Sequence, residues 1–317
     1  LLRPVILINT EKNSDAKNRL LEKYNYIDCY YFFHAFAAAD WFRGYQYCHD
    51  LTLPQNRKIK KKFITFNRLT GNARCYRSFL IAELEANNLI NLGNISYSHI
   101  CPEYGHYSKN LYHANIAYDI NKNYIQQSIQ LLDSIDHPLR IDSTKESFIA
   151  NGSQTLNAIP KMMESFLHIV TETCYWEQKL HLTEKIFKPI VARQPFVLLG
   201  CTFNLQYLKS YGFQTFDKWW DESYDCIVDP ILRLKAVIKI IKQLCEYSDQ
   251  ELQNLLNEMT PVLDHNYNLF YSRNFIDNCW QELCINLQDA IAQLPPLNDV
   301  KIPDHLDYDN LHHKLLV

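Results

Sequence analysis

Glu172 and the triplet Thr183-Glu184-Lys185 are the residues of this chain whose types and spacing are best suited to chemistry. Glu172 closes an apolar run, 166–171, that reads as a buried strand. A polar residue at the carboxyl end of a parallel strand points into the crevice where α/β proteins hold ligands. Thr183 suits the N-cap of a helix over 183–193. In the first turn, Glu184 suits bonds from ribose hydroxyls and Lys185 offers a point charge to phosphate. The plainer reading of the three is a cap, a favourable first-turn acid and a solvated lysine. A second group follows a strand over 62–67: Asn67-Arg68, then Asn72, Arg74 and Arg77 at a helix start. Free N–H groups and the helix dipole attract anions there, and an arginine adds a bidentate fork suited to a pyrophosphate. The plainer reading is a basic surface helix. Activating a hydroxyl nucleophile also needs a general base; His34 and Asp40 are candidates, and both are equally at home in structural roles.

Hydrophobic periodicity predicts the elements that must position these side chains. A strand over 5–9, a helix over 14–24 capped by Ser14, an aromatic strand over 26–33 and a helix over 36–47 form a β-α-β-α opening. Leu53-Pro54 and the run Arg57-Lys58-Ile59-Lys60-Lys61-Lys62, five basic residues in six, then mark a boundary. That run reads as a solvated linker or strand lead-in or, more sharply, as a patch for phosphates or polyanions. A strand over 62–67, a helix over 72–87 and a turn with a short strand over 92–98 follow. Residues 101–123 are aromatic and polar without clear period and read as irregular; 124–133 is a helix. Residues 134–160 read as an extended connection. After strand 166–171, loop 172–181 and helix 183–193 come a strand over 195–199, a helix over 205–211 ending at Gly212, and a small strand over 213–216. Helices over 229–247, 249–258 and 265–294 complete the pattern, and the tail 295–317 is polar and broken by prolines. The organisation is an α/β chain divided into 1–56, 57–294 and a tail.

Composition narrows the function classes. The 317 residues carry 47% hydrophobic and 21% charged side chains, enough for a sizeable core, and a formal charge of −3 that gives no global attraction to nucleic acid. Seven glycines leave no G-x-G-x-x-G and no P-loop, which argues against a nicotinamide dehydrogenase or P-loop NTPase. Ten cysteines are scattered without C-x-x-C or zinc spacing and read as reduced thiols in a cytoplasmic protein. Asp217, Asp221, Glu222 and Asp225 are close in sequence and read as a solvated loop, with a metal site as the minor alternative. No apolar run is long enough to cross a bilayer.

Together these segments resemble the donor-binding lobe of fucosyltransferase-like glycosyltransferases, and most nearly their uncharacterised phage and giant-virus relatives. The resemblance is carried by Phe63-Ile64-Thr65-Phe66-Asn67 with Arg74 and Arg77, by Ile169-Val170-Thr171-Glu172-Thr173 with His181-Leu182-Thr183-Glu184-Lys185, and by Gln194-Pro195-Phe196-Val197-Leu198-Leu199-Gly200. It extends over roughly 62–225, through T-E-K-x-F-K-P-I, G-F-x-T-F and D-E-S-Y-D. The resemblance implies a two-lobed fold of Rossmann-like halves (the glycosyltransferase B-type architecture), with a short N-terminal acceptor lobe and a helical C-terminal extension. It implies inverting, metal-independent transfer from a nucleoside-diphosphate sugar, which is the donor substrate; no separate cofactor is implied. Asn67, Arg74, Arg77, His181, Thr183, Glu184 and Lys185 would then face the donor, and Glu172 would stand near the donor sugar. His181 replaces the aromatic residue usual before T-E-K. The acceptor would be a glycan, a lipid-linked sugar or a modified DNA base, in the host cytoplasm if the chain is viral. The alternative is a glycosyltransferase-like module that binds a nucleotide or glycan without turnover.

Overall fold

A parallel four-stranded sheet forms the centre of the protein, seen in a computed structural model that describes residues 4–43, 57–136, 138–139, 141 and 158–295. Its strands are β3 (Lys61–Asn67), β4 (Gly93–Tyr97), β7 (Ser165–Thr171) and β8 (Phe196–Leu199), in the order β4-β3-β7-β8. All seven residues of β7 are buried, as expected of a strand covered on both faces. The chain moves outward from β3 to β4, then reverses to β7 on the other side. That reversal places a topological switch point at the carboxyl ends of β3 and β7, and open α/β sheets take ligands in the crevice outside such a point. The fold is therefore α/β, as the sequence pattern implies.

The first elements form a separate two-stranded parallel sheet, β1 (Val5–Asn9) and β2 (Tyr26–Tyr30), with α1 (Asp15–Tyr24) between them and α2 (Phe33–Arg43) after them. Ser14 caps α1 through its hydroxyl, as its side chain predicts. Two strands cannot bury a core alone. The missing cover comes from the far end of the chain: α11 (Arg273–Ala292) packs on β2, placing Ala290, Leu283 and Leu287 against Ile27, Cys29 and Ile6. The division at 56 separates the two sheets in sequence, but the last helix crosses back to complete the first.

Between the sheets' strands run α3 (Tyr76–Ala86), the antiparallel pair β5 (Ile100–Cys101) and β6 (Gly105–His106), α4 (Tyr107–Tyr118), α5 (Lys122–Asp133) and α6 (Ile159–Met163). After β7 come α7 (Phe187–Val191), α8 (Asn204–Ser210), α9 (Pro230–Glu246) and α10 (Asp249–Tyr271). Residues 101–123, expected to be irregular, hold the hairpin and α4; the helix buries Tyr107, Leu111 and Ala114, but polar residues between them mask the period. Residues 213–216 form no strand. Phe213 and Phe216 are buried as separate aromatic anchors, and the sheet ends at β8. The break expected between 258 and 265 is absent. α10 runs through Pro261, and the chain turns at Ser272, which caps α11 instead. The end of the helix expected over 36–47, the Leu53-Pro54 break, most of the 134–160 connection and the tail after Pro295 lie outside the described residues. No helix of the described residues is long and apolar enough to cross a membrane. The nine described cysteines are all unpaired.

Most of the basic run 57–62 is stitched into the fold. Arg57 turns inward and donates to the carbonyls of Met163, Arg193 and Ser165, at 3.2, 2.9 and 2.5 Å. Burial of this head group lowers its pKa to about 10, still charged at neutral pH. Lys60 pairs with Glu164, Lys61 donates to the Asn91 carbonyl, and Lys62 reaches the Tyr247 carbonyl and Asp249. Only Lys58 of the run has no partner among the described residues. Replacing Arg57 by Met takes a donor from three carbonyls, of which Ser165 keeps Gln194 Nε2 at 2.8 Å. We expect Arg57→Met to lower unfolding stability by about 2–4 kcal/mol in urea titrations, with an unchanged circular dichroism spectrum at low urea.

Candidate functional site

The crevice is built from the polar residues that end β3 and β7. Asn67, the last residue of β3, is fully buried. Its amide donates to Thr65 Oγ1 at 3.1 Å and its carbonyl oxygen accepts from Thr171 Oγ1 at 3.1 Å. This ladder joins β3 to β7 and leaves Asn67 no face for a ligand, contrary to its expected donor role. Arg77 is likewise diverted. It is 3% exposed and donates to the carbonyls of Leu69, Thr171 and Glu172, at 2.9, 2.8 and 3.1 Å. It caps strand ends instead of reaching a phosphate. Its neighbour Arg74, in the 3-10 turn Asn72–Arg74, is half-buried and has no ion-pair partner among the described residues. Beside that turn, Thr70 Oγ1 is buried with no hydrogen-bond partner.

Glu172 is a brace. The residue is wholly buried; its carboxylate accepts from the Thr183 amide at 3.1 Å, from the Thr173 amide at 3.3 Å and from the Thr183 hydroxyl. It therefore ties the end of β7 to the start of the T-E-K turn and cannot meet a substrate in this arrangement, which corrects its expected place near the donor sugar. Gly200 makes room for this: a Cβ there would stand 3.0 Å from Asn204 Nδ2 and 3.5 Å from Glu172 Cγ. Asn204 in turn pins His181 through paired bonds, accepting from its amide and donating to its carbonyl, both at 3.1 Å. Asn204 and Tyr76, whose hydroxyl donates to the Glu172 carbonyl at 2.6 Å, escaped the sequence reading because nothing local distinguishes them from other buried polar residues.

The helix expected over 183–193 is a 3-10 turn, Glu184–Ile186, followed by the five-residue α7. Thr183 does cap it, accepting from the Lys185 amide at 3.4 Å. So short a helix adds little dipole, and the electrostatics here come from side chains. Glu184 is 8% exposed, with Oε1 2.7 Å from Lys185 Nζ and Oε2 3.4 Å from His34 Nδ1, the latter at ion-pair range without hydrogen-bond alignment. Burial pushes the Glu184 carboxyl up, but His34 and Lys185 outweigh it and hold it well below the usual carboxylate range. With both oxygens engaged, Glu184 orients His34 and Lys185 instead of lying open to a ribose.

His34 comes from α2, so the first sheet's unit meets the T-E-K turn directly. The His34 and His181 rings stand edge to face at 5.3 Å. His181 Nδ1 lies 3.2 Å from the Thr10 carbonyl, an acceptor only, so Nδ1 carries the proton and the neutral ring keeps its lone pair on Nε2. Burial lowers the His181 pKa, the Thr10 bond and the Glu172 charge opposing it. A backbone bridge between Lys12 and Leu180 and an ion pair of Glu11 with Lys179 at 2.7 Å extend the seam. Further out, Lys12 Nζ lies 4.1 Å from the Tyr30 ring centroid and 2.5 Å from Glu282. Asp40 lies on α2, and its side chain is outside what the structure describes.

The acidic group 217–225 is taken up by local partners, with Lys209 shared between Asp217 and Glu222. Asp217 pairs with Lys209, Asp221 accepts from the Ser223 amide, Glu222 from the Phe216 amide, and Asp225 from the Leu205 and Gln206 amides. Among the described residues no group of three or more His, Cys, Asp or Glu side chains is arranged to hold a metal ion. Comparison with family models, curated proteins and solved structures yields no match to this chain.

Glu184 sets an acid-dependent contribution to stability. Its native pKa is depressed, so the contribution is complete above the ordinary value of 4.5 and is lost as pH falls below it. In urea titrations from about pH 7 to about pH 3, Glu184→Gln should be the less stable protein at pH 7 and should lose less stability on acidification.

Proposed function

We propose that this protein is a glycosyltransferase that moves a sugar from a nucleoside diphosphate to an acceptor hydroxyl, with inversion and without a required metal. The observation that carries the reading is the crevice where strand order reverses, edged by the uncommitted Arg74 after β3 and the half-buried Lys185 after β7. Two cations on opposite sides of a switch point suit a diphosphate, whose leaving they would stabilise. In this reading the β1–β2 unit, covered by α11, is the short acceptor-side lobe of a two-lobed Rossmann-like architecture, and the four-stranded sheet is the donor lobe. The reduced thiols agree with a cytoplasmic setting.

His34 is the base this reading selects, since Glu172 is walled off. Glu184 faces the Nδ1 side at 3.4 Å, and Nε2 takes the proton of the acceptor hydroxyl. The acceptor oxygen forms its bond to the anomeric carbon as the bond from that carbon to the β-phosphate oxygen breaks. The nucleoside diphosphate departs against Arg74 and Lys185. The acceptor is a glycan, a lipid-linked sugar or a modified DNA base.

A second reading, a nucleotide- or glycan-binding module without turnover, draws on the burial of Glu172 and the engagement of both Glu184 oxygens. Thermal-shift and calorimetric titration with GDP, UDP, ADP and their sugars separates the two when followed by an assay for donor hydrolysis or transfer. We expect one nucleotide family to bind. Arg74→Ala and Lys185→Ala should each weaken it about tenfold or more while melting normally. His34→Gln should lower turnover about a hundredfold with donor affinity retained. Binding with no turnover in the unsubstituted chain would establish the module; no nucleotide binding at all would remove the transferase and the nucleotide-binding form of the module.

A further inference from the structure

A cavity of about 760 Å³ opens at the opposite pole of the sheet, where β3, β7 and β8 begin. None of the crevice residues discussed above lines it. One wall is a stripe along α10, Gln250, Gln253, Asn257 and Thr260, spaced so that all four share one helix face. The facing wall carries Lys58 and Arg193.

Arg193 is held in an unusual way. It follows α7 at φ +44°, with its amide bonded to the Ile190 carbonyl and the next amide, of Gln194, to the Pro189 carbonyl. This is the left-handed helix stop where glycine or asparagine is customary, because a Cβ is strained there. The guanidinium lies 4.0 Å from the Tyr267 ring centroid, with Nε 2.9 Å from Asp264 Oδ1, at ion-pair range without hydrogen-bond alignment. Neither Nη atom makes a hydrogen bond among the described residues, so both can donate to a ligand, although Asp264 balances part of the charge. Lys58 has no partner among the described residues, whereas the acids on the cavity wall are paired, Asp264 with Arg193 and Asp249 with Lys62. Arg57, at the cavity's edge, adds a charge that no carboxylate neutralises, since its bonds go to carbonyls. The pole is therefore cationic, next to amides and a hydroxyl that can donate to further oxygens.

We propose that this cavity is a second ligand site that binds a small phosphate-bearing molecule, with the Arg193 fork and Lys58 on the phosphate and the α10 amides on the remainder. A volume in the range of small-molecule pockets, an oriented arginine fork and a separate point charge suit a compact dianion, and strain at a cationic residue facing a cavity is a recognised mark of function. The site stands apart from the crevice and does not depend on its chemistry.

The test titrates the Lys185→Ala protein, whose crevice is disabled, with inorganic phosphate and pyrophosphate and follows the side-chain amides of Gln253 and Asn257 in proton–nitrogen correlation spectra. Saturable shifts at both amides are expected. Arg193→Asn keeps a residue that tolerates the left-handed backbone; it should bind about tenfold more weakly or worse without a lowered melting temperature. Lys58→Gln should weaken binding about threefold or more. The proposal is overturned by the absence of shifts at these amides at millimolar phosphate, by equal affinity in Arg193→Asn, or by the same shifts from a neutral sugar such as maltose. Shifts confined to residues 172–186 in the unsubstituted protein would overturn it while leaving the crevice reading intact.

Discussion

Buried backbone carbonyls at the ends of the strands need donors, and in this protein arginines supply them. Arg57 serves the amino end of β7, through Met163, Ser165 and Arg193. Arg77 serves its carboxyl end, through Leu69, Thr171 and Glu172. Arg233, 2% exposed, donates to the carbonyls of Tyr175, Ile227 and Val228 and lies over the Tyr175 ring. None of the three has a carboxylate partner among the described residues. A guanidinium suits the task because its donors form a rigid fork and stay charged when buried, whereas an ammonium would readily lose its proton. An unpaired buried carbonyl costs on the order of 1–3 kcal/mol, so each arginine stabilises the fold by satisfying several at once.

The crevice inherits its shape from that arrangement. With Arg77 closing the carbonyls of Thr171 and Glu172, the Glu172 carboxylate is free to turn outward along the chain and bind Thr183. That link folds loop 172–183 back over the end of β7 and sets Glu184 and Lys185 on the crevice edge. Asn204 holds His181 from below, and Gly200 permits the close approach. The β1–β2 unit then docks through Thr10, Lys12 and His34, and α11 locks it from the other side through Ala290 and Glu282. His34 reaches Glu184 because its helix packs into the main core through Ala35, Ala38 and Phe42, although 150 residues separate the two in sequence.

Much of the local structure was legible. The β1 span, the Ser14 cap, the start of β2 and the left-handed Gly212 all follow from short-range patterns. Errors came where local signals compete. Polar residues between Tyr107, Leu111 and Ala114 hid α4, and Pro261 sits inside a helix that tertiary packing sustains. The sequence also suggested a donor role for Asn67, Arg77 and Glu172. Strand-end polar residues in a buried sheet have two possible uses, bonding to a ligand or to the backbone, and residue type alone does not distinguish them.

By itself the sequence determined the α/β class, the positions of the strands around the T-E-K turn and the presence of cations after β3. These depend on burial patterns and caps that act within a few residues. Only the tertiary structure decided which polar groups are spent and which are available. Arg77, Asn67 and Glu172 are consumed by the backbone and its neighbours, whereas Arg74, Lys58 and the Arg193 fork remain open. The physical reason is that a charge is neutralised by whatever lies within hydrogen-bond reach. In Arg57 and Ser165, Arg77 and Thr171, or His34 and Glu184, that partner is far away along the chain and adjacent only after folding.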